Sequence, residues 1–168
     1  MPDRPDFIRH YSEIQKTQAW RYEGDDELMS VGSPFGRFLG LTRIGIHRED
    51  LAPGRRTSFP HAESHEEEFV YVIEGHPDVW IDGVLHPLKP GDGVGFPAGT
   101  GIAHSFLNNT DRDVALLVVG EKNERENMTR YPLNPGREAY GVPNWPDAPA
   151  RSLGPHDGKA RAGTRKVE

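Results

Sequence analysis

From Arg37 to Glu121 the chain is a succession of short runs rich in β-branched, aromatic and aliphatic residues, broken by turn chemistry about every eight to twelve residues. The runs read RFLGLTRIGIH, TSFPHAE, EFVYVIE, DVWID, VLHPL, GVGFP, IAHSFLN and DVALLVVGE. Breaks fall at Pro53-Gly54, Gly75-His76-Pro77, Asp82-Gly83, Pro90-Gly91, Gly99-Thr100-Gly101 and Asn108-Asn109. This punctuation is the pattern of an all-β barrel or sandwich of about eight strands. Asp82-Gly83 between two such runs predicts a tight hairpin, because both central residues of a type I′ turn need positive φ.

At 168 residues and 35% hydrophobic content, the chain is sized for one domain with a core. Three regions follow from the pattern: an N-terminal arm over 1–30, a barrel over 31–122 and a Pro/Gly-rich C-terminal extension over 123–168. In the arm, Ser12 and Gln15 stand in a capping-box relation ahead of a brief helix ending at Trp20. In the extension, Tyr131, Tyr140 and Trp145 are expected to lie on the barrel or on a partner subunit, with the basic end KARAGTRKVE mobile. A formal charge of −6 with mixed signs argues against a nucleic-acid partner. The absence of cysteine excludes disulfides and thiolate ligands, so a metal site must be built from nitrogen and oxygen. The polar N-terminus and the lack of a long apolar run predict a cytoplasmic protein with no membrane association.

Residues two apart on a strand share a face, so His61 and Glu63 point together, about 6–7 Å apart. With 64–67 as the reversal, Glu68 would lie across a hairpin from Glu63, Cβ atoms about 4.5–5.5 Å apart. Two facing carboxylates repel, and burial would force one to take a proton; a divalent cation removes the conflict. His104, from a separate strand, completes the set His61, Glu63, Glu68 and His104. Such imidazole and carboxylate donors suit one divalent transition metal: iron, manganese, zinc or nickel.

The stretches GRRTSFPHAESHEEEFVYVIEG (54–75) and GDGVGFPAGTGIAHSFLN (91–108) resemble the two motifs of the cupin superfamily. More narrowly they are similar to small single-domain bacterial cupins of unassigned activity. The first motif usually carries His-x-His; here Glu63 stands at the second histidine, and Gly54 leads His61 by six residues rather than five. In the second, Gly91, Asp92, Pro97, Gly99 and Asn108 match, but four residues separate Gly99 from His104. The resemblance implies a double-stranded β-helix, or jelly-roll, barrel, and a homodimer paired through its sheets.

Several other side chains bear on the pocket. His65 is an alternative ligand to Glu63. Arg55 and Arg56 are either surface charges or anion-binding groups at the mouth. Tyr71 and Trp80 are expected in the core and Phe106 in the pocket, whereas His47, His76 and His86 are expected at exposed strand ends. The reading favours a metalloenzyme acting on a small polar substrate, such as a sugar derivative or carboxylic acid, by dioxygenase, isomerase or lyase chemistry. In it the metal is a Lewis acid, and Glu63 or Glu68 carries a proton if only one ligates. The alternative is a non-catalytic small-ligand binding or sensing barrel.

Overall fold

The structure, a computed structural model, describes residues 4–122 and 125–167. The expected boundary between Lys122 and Asn123 therefore abuts two residues outside the described set, as do the first three residues of the arm and the last of the extension.

The strands are β1 (Val31–Ser33), β2 (Ile44–Leu51), β3 (Ala62–Glu63), β4 (Glu68–Glu74), β5 (Asp78–Ile81), β6 (Val84–Pro87), β7 (Gly93–Phe96), β8 (His104–Leu107), β9 (Val114–Glu121) and β10 (Thr129–Arg130). They form a five-stranded sheet ordered β1-β2-β9-β4-β7, a three-stranded sheet ordered β6-β5-β8, and the pair β10-β3. All these ladders are antiparallel. The two larger sheets face each other as an all-β jelly-roll barrel.

Alternation along the strands decides what lies between them. Leu51, Val70, Val72, Phe96, Val114, Leu116 and Val118 from the larger sheet meet Val79 and Phe106 from the smaller in one buried cluster. The opposite face of the smaller sheet is also buried: Trp80 and Leu107 pack with Ala62, Ala103 and Trp145, and Met128, Leu133, Ala148 and Ala160 join them. The extension is what covers that face.

The hairpin reading holds. Asp82 and Gly83 have φ of 45° and 89°, closing the β5–β6 hairpin. Gly83 serves a second purpose, since a Cβ there would lie 2.3 Å from Gly154 N. Its bare backbone lets the extension dock, with Gly154 N donating to Asp82 O at 2.7 Å.

Other expectations are corrected. The run from Arg37 is not all strand, because Phe35–Phe38 form a helical turn, α2, and pairing begins at Ile44. The arm helix, α1, is only Tyr11–Ile14, and its capping box is formed by His10 and Glu13 rather than Ser12 and Gln15. The basic end is docked rather than mobile: Arg165 Nη1 reaches Asp78 Oδ1 at 2.8 Å, and Arg161 N donates to Asn109 Oδ1 at 2.8 Å. Arg56 is neither a surface charge nor an anion site. It is 2% exposed, pairs with Glu27 at 2.6 Å and donates to Gly158 O at 2.7 Å, which ties arm and extension to the barrel. Trp80 is buried as expected, but Tyr71 is 40% exposed beside Phe69 (45%) and Ile73 (41%) on the outer face of the five-stranded sheet. No described helix is long and apolar enough to cross a membrane.

Candidate metal centre

His61 and His104 exchange two backbone hydrogen bonds, His61 N to His104 O at 3.1 Å and His104 N to His61 O at 2.9 Å. They are therefore direct cross-strand partners whose side chains share a face, with ring centroids 5.0 Å apart. Their neighbours Ala62 and Ala103 point the other way, into the second core. The sequence thus sends imidazoles inward and methyl groups outward at the same two crossings.

Glu68 opens β4 on the inward face shared with Val70 and Val72, and its Oε1 lies 3.2 Å from His104 Nε2. Phe96 stacks on the His104 ring at 3.5 Å and 6°, which fixes the ring plane. His61 Nδ1 donates to Phe59 O at 2.9 Å, leaving Nε2 as the lone-pair nitrogen. These groups line a cavity of about 110 Å³ together with His47, Glu49, Thr57, Ser58, Val70, Phe106 and Val118.

Within the cavity, burial disfavours charge on His61 and His47, whereas Glu68 is held ionised. Burial holds the His61 imidazole below the usual histidine range, His104 adding to this while Glu63 and Glu68 oppose it. Burial does the same to His47 against the pull of Glu68. Burial alone would raise Glu68, but the hydrogen bond and charge of His104, with His61 and His47, hold it below its ordinary value. Glu49 goes the other way. Burial, opposed by the Ser30 hydroxyl bonded to it and reinforced by the charges of Glu68 and Asp50, pushes its carboxyl up to about 7.

Three of the four anticipated ligands thus share this cavity, and the fourth does not. Glu63 is not across a hairpin from Glu68: β3 pairs with β10, Glu63 opposite Thr129, while Glu68 lies between Phe96 and Gly120. Residues 64–67 carry the chain from the small ladder into the larger sheet, which is why the two carboxylates separate. Glu63 Oε1 accepts from Asn127 Nδ2 at 3.2 Å at the rim. His65 is exposed, with Nδ1 2.7 Å from Ser64 Oγ, and is absent from the cavity wall.

His47 and Glu49 are the cavity residues that sequence reasoning missed. The strand reading stopped at His47 and left the following charges as loop, whereas β2 runs on to Leu51. Counting back in twos from Leu51 would have put Glu49, His47 and Gly45 on the inner face.

The donor chemistry fits a divalent cation. Two adjacent ligands on bonds of about 2.1 Å stand about 3.0 Å apart, close to the His104–Glu68 separation. As the side chains stand, no three histidine or acidic groups among the described residues enclose an ion, so occupancy requires side-chain rotation within the cavity.

The fold and this inward cluster define a barrel with a polar site at one end. Residues 47–120 match the family model of the cupin domain. A solved cupin-superfamily structure described as a sugar phosphate isomerase, from Silicibacter pomeroyi, is 34% identical with a TM-score of 0.59, covering 61% of this chain and 64% of that one. A candidate sugar phosphate isomerase from Acidithiobacillus ferrooxidans is 28% identical with a TM-score of 0.65, covering 76% and 81%. The polyketide synthase CurC of Streptomyces cyaneus is 34% identical over 89 residues, which is 53% of this chain and 51% of CurC. The chain spans about half to two thirds of the length of the curated relatives it matches. Residues 47–120 thus carry a cupin domain, and the fold is that of cupin-superfamily structures.

Proposed function

We propose that the chain is a metal-dependent cupin enzyme in which His61, Glu68 and His104 hold one divalent transition metal (iron, manganese, zinc or nickel) beside a small polar substrate. The observation that carries this reading is the convergence of those three donors on one cavity, with a hydrogen-bonded His104–Glu68 pair at 3.2 Å. When bound, the cation would supply Lewis-acid stabilisation of a substrate oxygen.

Of the isomerase, lyase and dioxygenase classes, isomerase chemistry is favoured, on the likeness to one structure described as a sugar phosphate isomerase and to one candidate sugar phosphate isomerase. Isomerising a sugar derivative requires moving a proton between neighbouring carbons, and the group that moves it works best with a pKa near the working pH. Glu49, pushed to about 7 in the cavity wall, meets that requirement better than Glu68, which is held ionised. Glu63 would act at the rim, through its charge on His61. Phe106 and Val118 would exclude water from the inner end.

The bare outer face of the five-stranded sheet supports pairing as a homodimer. Ile44, Phe69, Tyr71 and Ile73 are exposed there, and no described segment covers them as the extension covers the opposite sheet. Pairing with a second copy would cover this face, and Phe69→Asp should convert dimer to monomer in sedimentation; an unchanged mass would reject the face.

The activity is tested by incubating metal-loaded protein with a panel of aldose and ketose phosphates in heavy water. Metal-dependent deuterium incorporation beside the carbonyl, seen by NMR and reduced in Glu49→Gln, is the expected result. Tight binding of a panel member without incorporation would favour the non-catalytic barrel instead.

A further inference from the structure

We infer that His47, which lies outside both motifs, supplies the imidazole that Glu63 replaces, so that the cation-binding set is His47, His61, Glu68 and His104. This rests on the metal-binding reading above.

The register of the five-stranded sheet places these groups. Gly45 pairs with Gly120, which pairs with Glu68, so the three form one row across β2, β9 and β4. His47, Val118 and Val70 form the next row on the same inner face. Rows two residues apart are separated by about 6–7 Å, a gap that a side chain leaning along its strand can largely cross. The His47 ring does lean that way: its Nε2 would be 3.6 Å from a Cβ built on Gly45.

Both intervening positions in the row toward Glu68 are glycine, and the other side chain beside them is that of Lys122, whose Cγ would be 3.8 Å from a Cβ built on Gly45. Neither is glycine for backbone reasons, since neither has positive φ. A Cβ on Gly120 would meet only Glu67 O, at the ordinary distance of 3.5 Å. The missing side chains therefore leave room inside the barrel for the imidazole.

Glu63 lacks that placement, being held by Asn127 in the β3–β10 pair. Chemically, His47 converts a site of two carboxylates and two imidazoles into one of three imidazoles and one carboxylate. This lowers the buried negative charge that must be offset whenever the cation leaves.

The test is zinc(II) affinity by competition with a chromophoric chelator, together with the visible spectrum of the cobalt(II) protein, for wild type, His47→Ala, His61→Ala, Glu63→Gln and Gly120→Ala. His47→Ala should weaken zinc binding more than about 100-fold, beyond the 10–100-fold typical of an outer partner of a ligand, and should alter the cobalt bands. Gly120→Ala, which the backbone tolerates, should weaken binding by obstructing the imidazole, whereas Glu63→Gln, which removes a rim charge and no metal donor, should leave the cobalt bands unchanged. If His47→Ala is poorly folded, Gly120→Ala and His47→Gln carry the same test. Wild-type affinity and spectrum in the His47 and Gly120 variants, with binding lost in His61→Ala, would overturn the inference and leave the metal reading intact. Wild-type protein that binds neither zinc nor cobalt would overturn both.

Discussion

The cavity has two walls of different origin. One is built from the motif residues His61 and His104, on short strands that are propped from outside by the second core of Trp80, Leu107 and Trp145. The other is β2, an eight-residue strand whose Gly45, His47 and Glu49 face inward and whose support is the main barrel cluster through Leu51. The motif wall presents donors directly paired to each other and to Glu68. The β2 wall presents a histidine and a carboxyl that burial drives away from their ordinary protonation behaviour. A site can therefore keep its chemistry while moving part of it off the expected strand, provided that small residues open the way.

The largest effect on metal binding should come from the motif wall. His104→Ala removes a donor and leaves Glu68 without its hydrogen-bond partner, so bound metal should be lost and stability should fall by about 1.5–3 kcal/mol. Elemental analysis and urea melts of the purified variant check both. Metal retained at the wild-type level would mean that the β2 wall holds it without His104.

Next, the motif wall should depend on the extension. Trp145 is buried against the outward-facing Ala62 and Ala103, so Trp145→Ala should cost about 3–5 kcal/mol and weaken metal binding, although Trp145 lies outside the cavity. A comparable loss of stability with unchanged affinity would show that the two cores are independent.

The last difference belongs to Glu49 of the β2 wall and is read as a pH dependence of stability. Glu49 is raised from 4.5 to about 7 on folding, so between those values the native state holds a proton that the unfolded chain has released. Stability from this group is full below pH 4.5 and is lost as pH rises through about 7. Metal-free Glu49→Gln should accordingly gain stability relative to wild type between pH 5 and pH 8, the chosen thermal-melt conditions bracketing that upper value. A gap between the two proteins that does not change with pH would contradict the burial of an ionisable carboxyl there.

The motif wall was legible in the sequence because its residues sit among glycine and proline turns that fix strand ends, as at Gly75 and Asp82-Gly83. Which face of β4 is inner was not legible, because Phe69, Tyr71 and Ile73 on one side are as apolar as Val70 and Val72 on the other. Position 63 was misread because residues 64–67 pass from one sheet to another, and local spacing cannot distinguish that passage from a hairpin. His47 escaped notice because the charges after it resemble a loop, and only pairing with Val118 and Leu116 of β9 turns them into strand. The docking of the extension was equally hidden. Its contacts, such as Arg165 with Asp78 and Trp80 Nε1 with His156 O at 2.9 Å, join residues far apart in sequence through single polar groups.

The decisive measurement is the metal content of protein purified without a metal-affinity tag and dialysed against metal-free buffer. Close to one transition-metal ion per chain is expected, retained by Glu63→Gln and lost from His61→Ala and His104→Ala. Fully folded wild-type protein that carries no metal and takes up none of iron, manganese, zinc or nickel would contradict the metal-binding reading.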